Sequence, residues 1–362
     1  MLSHSNKTGG AHASPVFLYM ARFTHRLTLS AAVFLLATTV PGTFTQRTLA
    51  SPAVEHGLVT PIPQPEDASS VPATTAPSRP LKLATWNMEW LMAEDGPLAI
   101  TAPPDRPHCS AADFEKLAAY AQHLDADIIG LQEVDATPTA ERLFPARTYQ
   151  IFMTDDALLQ HPALAVRKPL RAHKNADLVE LDVAPATAAH QLRRGLDVTV
   201  ETGTTPLRIL VLHLKTGCWD NPVAERQHSC PILLQQFGVL QNWISARAAA
   251  HEAFVIMGDF NRRMTVYDPF FLLLTHAAPL SLTTAGWASP CENGSYFIDH
   301  ILLGGDAQSW LQPHSLRVMT YRVDAQPSTL SDHCAVSVRL NPQTSAPSQA
   351  PTPTALPPDT QP

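Results

Sequence analysis

Six stretches of the chain are almost wholly apolar and too short to be helices: Leu81–Trp86 (LKLATW), Asp127–Val134 (DIIGLQEV), Leu207–Leu214 (LRILVLHL), Phe254–Gly258 (FVIMG), Phe297–Leu303 (FIDHILL) and Cys334–Leu340 (CAVSVRL). Such runs predict strands buried on both faces or nearly so. Thr148–Met153, Ala163–Lys168 and Gly195–Glu201 are weaker strand candidates. Two segments change to helical spacing. Ser110 to Asp113 has the form of a capping box, after which Phe114, Leu117, Ala118, Ala121 and Leu124 recur on one face. Pro231 opens a second helix whose apolar face carries Ile232, Leu233, Val239, Leu240 and Trp243. Strands outnumber helices and each helix lies between strands, which predicts an α/β or α+β fold with helices covering sheet faces.

Against this background the polar residues fall at one kind of place, the ends of apolar strands. Asn87 follows LKLATW, Gln132 and Glu133 follow DIIGL, and His213 and Lys215 close LRILVL. Asp259 and Asn261 follow FVIMG, Asp299 and His300 interrupt FIDHILL, and Ser331, Asp332 and His333 precede CAVSVRL. A rigid scaffold fixes groups at strand ends without burying them, so this pattern builds a site.

Composition narrows the folded region. The 362 residues are 45% hydrophobic and 16% charged, and the 33 prolines crowd the ends. Residues Ser51–Pro80 and Asn341–Pro362 are Pro, Thr, Ser and Ala mixtures with too few large apolar groups to offset ordering entropy, and are expected to be disordered. Leu81–Leu340 then forms one domain. Arg22, His25 and Arg26 precede the apolar run Leu27–Val40 and a small-residue stretch ending Thr48-Leu49-Ala50, the order of a secretory signal, with Met20 a candidate start. The run is too short to span a bilayer, so a periplasmic or secreted monomer without a membrane span is expected. Among the 5 cysteines, Cys218 and Cys230 bracket a short loop and are the pair favoured for a disulfide. Cys334 is expected as a buried thiol, and Cys109 and Cys291 as paired or free. A formal charge of -7 makes the whole chain a poor match for a polyanion.

The strand-end inventory is rich in oxygen: Glu133, Asp259, Asp299 and Asp332, the amides Asn87 and Asn261, and the imidazoles His213 and His333. No thiol or hydroxyl nucleophile stands among them. Oxygen ligands suit a hard divalent cation, Mg²⁺, Mn²⁺ or Ca²⁺. A cation with acids and imidazoles fits hydrolysis of a phosphate ester by water.

The ordered set WNMEWL, LQEVD, HLKTG, GDFNR, IDHIL and SDHCAV resembles the endonuclease/exonuclease/phosphatase superfamily, the fold of deoxyribonuclease I, across Leu81–Leu340. The resemblance implies a four-layered sandwich of two sheets flanked by helices. It implies Glu133 as principal metal ligand, Asn87 beside it and Asp332 nearby. Asp259 would orient or deprotonate the attacking water, Asn261 would bind a phosphoryl oxygen, and His333 would donate to the phosphate, kept cationic by Asp299. His213 would be a second imidazole, a general acid/base or phosphate donor. It stands where apurinic endonucleases of the superfamily carry a Tyr-x-Pro-Asn pattern, which points to the branch of deoxyribonuclease I, phosphodiesterases and phosphatases. An acid to pair with His213 is not identifiable in Ile151–His190. The insertion Gly217–Cys230 is expected to rigidify a loop beside the site.

Arg262 and Arg263 are candidate substrate contacts, each weighed against a solvated arginine. Arg167, Lys168, Arg171 and Lys174, and Arg193 with Arg194, read as solvated faces rather than polyanion guides. Trp86 reads as core, while Trp90 and Trp219 are open between stacking on bases and packing. His108, His123, His161, His173, His190, His228 and His251 lack ligand spacing and take no role. The expectation is an exported, metal-dependent phosphodiesterase, a nuclease on DNA or RNA, with a phosphatase or phospholipid or inositol phosphodiesterase as the alternative. A binding module without turnover ranks last, because every residue of the set is intact.

Overall fold

The computed structural model describes residues 79–96, 98–102, 106–226, 229–321 and 330–342. The signal segment and nearly all of both proline-rich segments lie outside the described residues. In chain order the elements are β1 (Leu81–Leu91), α1 (Ala111–Leu124), β2 (Ile128–Val134), α2 (Thr137–Glu141), β3 (Tyr149–Met153), β4 (His161–Arg167), β5 (Ala172–Lys174), β6 (Leu196–Val200), β7 (Leu207–His213), α3 (Cys230–Ala249), β8 (Ala253–Asp259), α4 (Pro269–Thr275), β9 (Leu280–Leu282), β10 (Asp299–Gly304), β11 (Arg317–Met319) and β12 (Ala335–Leu340).

The strands form two six-stranded sheets, ordered β11-β12-β1-β2-β4-β3 and β5-β6-β7-β8-β10-β9. Three apolar clusters account for the layering. Leu83, Ile128 and Val166 of the first sheet meet Val211, Val255 and Ile301 of the second in a dry central seam. The outer face of the first sheet packs on α1 through Trp86, Leu131, Phe114 and Leu117. The outer face of the second packs on α3 and α4 through Phe254, Ile256, Phe237 and Phe270. Burial on both faces explains why the central strands read as unbroken apolar runs. Each large side chain so buried contributes about 2–3 kcal/mol. The result is the four-layered α/β sandwich that the resemblance implies.

All nine expected strands are present, and the two expected helices begin where their caps indicate. Ser110 accepts from the Asp113 amide and Asp113 returns the bond, closing the capping box of α1. Helix α4 lies outside the sequence expectation, although its signal is local: Asp268 caps the Phe270 amide and Pro269 takes the first turn. The edge strands β5, β9 and β11, three residues each, are too short to carry a pattern. Trp86 is fully buried, as read from sequence.

Disulfide pairing requires a correction. Cys218–Cys230 forms as expected, but Cys334 is bonded to Cys291, and Cys109 is the free, buried thiol. The reason lies in the approach of two loops: Asp299 and His333 are hydrogen-bonded to each other, which brings the segment before β10 against the segment opening β12.

Gly258 allows the closest approach of β7 and β8. Its φ is +144°, and a Cβ there would lie 2.0 Å from the Leu212 carbonyl oxygen. Gly258→Ala must therefore part the ladder beside Asp259. We expect a loss of at least about 3 kcal/mol, or roughly 10 °C in Tm by thermal melting. Gly238, within α3, is the control, since a methyl added there would meet nothing within 4 Å. Gly238→Ala should gain up to about 1 kcal/mol.

Candidate active site

Strand register assembles the site. β7 pairs in parallel with β8, setting His213 beside Asp259, and β8 pairs antiparallel with β10, setting Asp259 beside Asp299. Three polar residues thus stand in one row at the end of the second sheet. The chain then turns at Asn261, whose left-handed φ of +50° folds its amide back. The Asn261 N–H donates to Asp259 Oδ1 at 2.8 Å, and its side-chain amide donates to the Leu214 carbonyl at 3.1 Å and Asp259 Oδ2 at 3.2 Å. Phe260 points the other way and is fully buried.

The first sheet supplies the facing wall. β1 and β2 run parallel with Asn87 beside Gln132, and the register shifts between Asn87 and Leu91. Within that irregular stretch Glu89, Trp90 and, on β2, Glu133 all take left-handed φ. Non-glycine residues held there cluster at functional sites because surrounding packing must over-determine them. Asn87 Nδ2 donates to Glu133 Oε1 at 3.3 Å and to Asp259 Oδ2 at 3.1 Å, linking the two sheets across the site. Glu133 Oε2 accepts from the Trp90 amide and from Gln160.

His333 enters from the turn before β12. The Ser331 hydroxyl donates to the Asn87 carbonyl and accepts from the His333 amide, fixing the turn. His333 Nδ1 lies 2.7 Å from Asp299 Oδ2, and its Nε2 faces Asp259 Oδ2 at 3.9 Å. Burial alone would lower the His333 pKa, but the carboxylates of Asp299, Asp259 and Asp332 hold it well above the usual histidine value. It is a part-buried imidazole held toward its charged form. His213 is the opposite case. Burial, then the charges of Arg193 and His333, hold it well below the usual value, so it is neutral. Its Nε2 faces Glu133 Oε1 at 3.8 Å and Asp259 Oδ2 at 3.6 Å, and its buried Nδ1 has no partner. Among the described residues no acid meets Nδ1, and the two carboxylates near the ring both face Nε2.

Negative charge exceeds what the described side chains neutralise. Burial and the neighbouring Asp299 charge push Asp259 up to about 7. Burial, with Asp332 and Glu133 nearby, pushes Glu89 up to about 7. Asp299 Oδ1 is buried without a partner. Glu89 also accepts the Asp332 amide at 2.6 Å, while the Asp332 side chain itself is 67% exposed at the rim. Asp259, Asp299 and His333 each offer a ligand atom within 4.8 Å of one another. That trio reads better as an imidazolium between two carboxylates, because His333 is already committed to Asp299. The oxygen donors of Glu133, Asn87, Glu89 and Asp332 form the acidic wall opposite, and their hard-oxygen character fits a divalent cation.

The arginines divide differently from the sequence reading. Arg262 is buried, bonds Asp268 at 2.6 Å, and donates to the Asn221 carbonyl at 2.6 Å, so it is a structural clamp and not a substrate contact. Its charge is spent inside the fold. Arg263 is partly exposed and pairs with Glu292 at 3.4 Å and Asp220 at 3.7 Å. Arg193, read as part of a solvated face, turns inward. It donates to Gln160, which donates on to Glu133, and its Nε is buried without a partner. Burial lowers the Arg193 pKa while Glu133 and Asp259 oppose the shift, which places the guanidinium within reach of both charges. Arg193, Gln160 and Glu89 are the site residues that sequence reasoning missed. Only Glu89, inside WNMEWL, lay in a motif that pointed here.

No curated protein matches the chain. Among solved structures, truncated TDP2 of Caenorhabditis elegans is 17% identical, covering 72% of this chain and 97% of that one with a TM-score of 0.48. The human Nocturnin catalytic domain, with a bound sulfate anion, is 17% identical over 72% of this chain and 94% of that one, with a TM-score of 0.46. The 3′ phosphatase NExo from Neisseria, bound to a product DNA hairpin, is 16% identical over 72% and 99%, with a TM-score of 0.47. The decisive match is to the profile of the Endonuclease/Exonuclease/phosphatase family, which spans residues 84–333, from β1 to the His333 turn. The chain belongs to that family of phosphoric ester hydrolases.

Proposed function

We propose that the protein is an exported, divalent-metal-dependent phosphodiesterase that cleaves nucleic acid by in-line attack of water. The observation that carries this is the row at the sheet end: an imidazolium, His333, faces the carboxylate of Asp259 at 3.9 Å, across from the Asn87–Glu133 pair. Asp259, raised to about 7, is a base matched to neutral pH and takes the proton of the attacking water. His333 Nε2–H donates to a phosphoryl oxygen as negative charge grows, and Asp299 keeps it oriented and charged. Asn261 fixes the Asp259 carboxylate from beneath and offers its amide to the phosphate. Neutral His213, with Nε2 3.6 Å from Asp259 and 3.8 Å from Glu133, stands ready to donate to a phosphoryl oxygen or exchange a proton there. Arg193 adds positive charge beside Glu133 and Asp259.

Glu133, Asn87, Asp332 and Glu89 would hold Mg²⁺ or Mn²⁺. Bound there, the cation neutralises phosphoryl charge. Two disulfides favour an oxidising compartment, which agrees with the signal-like segment at 22–50. A phosphatase or phospholipid phosphodiesterase of the same fold is the second reading, favoured by the formal charge of -7.

Purified protein supplied with Mg²⁺ or Mn²⁺ should cleave DNA or RNA faster than sphingomyelin or inositol phosphates, and chelation should abolish turnover. Asp259→Ala and His333→Ala should each lower kcat by about 10²–10⁴-fold. Cleavage of the lipid or inositol esters alone would select the second reading; no cleavage of any ester would remove the first.

Stability of the metal-free protein should depend on pH with a definite sign. His333 has a folded pKa raised above 6.5, so its stabilisation is full below that value and is lost as pH rises through the folded pKa. Asp259 and Glu89, raised to about 7, act the same way up to that pH, since folding favours their protonated forms. Below 6.5, neutral His213 opposes them, because the unfolded chain gains its proton first. In chelator, Tm should therefore fall by about 5 °C between roughly pH 6.5 and 8.5. His333→Asn should flatten that limb, and a Tm rising with pH there would contradict the assignment.

A further inference from the structure

The loop between β7 and α3 presents one indole in an unusual way. Trp219 is 41% exposed and takes a left-handed φ of +29°. A bulky residue with that φ is strained and persists only when its surroundings hold it. Five constraints do so. The Trp219 amide donates to the Asn261 carbonyl at 3.1 Å, and the Arg263 amide donates to the Trp219 carbonyl at 3.0 Å. Cys218, its neighbour, is bonded to Cys230. The buried Arg262 guanidinium binds the Asn221 carbonyl below the loop, and Arg263 pairs with Asp220 above it.

The ring itself is unused. Among the described residues no aromatic ring or guanidinium stacks on Trp219, whereas Trp90, Trp243 and Phe270 each carry an arginine. Strain, a disulfide and a buried ion pair thus fix a bare indole beside the backbone of Asn261. The rim around it is not basic: Arg263 is neutralised by Asp220 and Glu292, and Arg262 by Asp268. Phosphate attraction along a strand is therefore weak here, and a planar group with a π-face is the ligand the rim can bind.

We infer that Trp219 is a stacking platform for a base of the substrate, so that the substrate is a single strand or a short oligonucleotide rather than duplex. This rests on the nuclease reading above and specifies its substrate class. In a duplex the base is stacked within its own helix and cannot lie on the ring. Base–aromatic stacking tolerates any sequence and depends little on salt compared with phosphate contacts. The adjacent Asp220, 73% exposed, also disfavours an anionic membrane surface.

The test compares a short single-stranded oligonucleotide with an abasic strand of equal length. In Trp219→Ala the ratio of kcat/KM for the based strand to that for the abasic strand should fall about tenfold, carried by KM, and Trp219→Phe should retain most of the ratio. A ratio unchanged in Trp219→Ala overturns the inference, as does loss of turnover confined to phosphatidylcholine vesicles. Binding of the labelled single strand, read by fluorescence anisotropy in chelator, separates the two claims. Binding weakened about tenfold by Trp219→Ala but not by Trp219→Phe upholds the platform even if no strand is cleaved. Equal binding by all three proteins, or none by the wild type, overturns it.

Discussion

The parallel pairing of β7 with β8, at a register that sets His213 against Asp259, is the constraint on which the site depends. It needs Gly258, since any Cβ there would strike the Leu212 carbonyl oxygen. It is enforced by apolar packing on both faces of the two strands, because a slip of one residue would turn Val211, Val255 and Met257 out of the central seam. Core energetics thereby fix polar geometry. Asp259 can be buried at the sheet end because Asn87 and Asn261 saturate its oxygens from both sides.

Electrostatics follows from that burial. Five carboxylates, Glu89, Glu133, Asp259, Asp299 and Asp332, act on one another within a site where His333 and Arg193 supply the opposing positive charge. Isolated buried charges are costly, and the site balances them unevenly. One imidazole is held toward its charged form between carboxylates, and burial with the charges of Arg193 and His333 holds the other toward its neutral form. The two histidines therefore differ in charge, in line with the sequence reading, which paired His333 with Asp299 and identified no acid for His213. Arg193 and the Arg262–Arg263 pair differ in the same manner: burial and partners, rather than residue type, decide which guanidinium turns toward the site.

Much of this was legible along the chain. Apolar runs with polar termini located the central strands and put Asn87, Glu133, Asp259, Asn261, Asp299 and His333 at one end of the sheets. What escaped were features made by approach in space. Cys291 and Cys334 are separated by 43 positions, and nothing local says that the Asp299–His333 bond draws them together. Arg262 and Arg263 are neighbours of the same type, yet one faces Asp268 within the fold and the other the rim. Arg193 precedes a strand in a run of two arginines, and only the tertiary path of that segment turns it toward Gln160 and Glu133. Helix α4, in contrast, had an Asp-Pro cap ahead of its apolar run and was open to reading.

The proposed divalent-cation site lies at the acidic end of the two sheets, and titration of Mn²⁺ into purified protein, with the heat recorded, is its direct test. The account predicts saturable binding, competed by Mg²⁺, and weakened by about 10–100-fold or more in Glu133→Gln. Absence of saturable heat, or equal affinity in the Glu133→Gln protein, would contradict it.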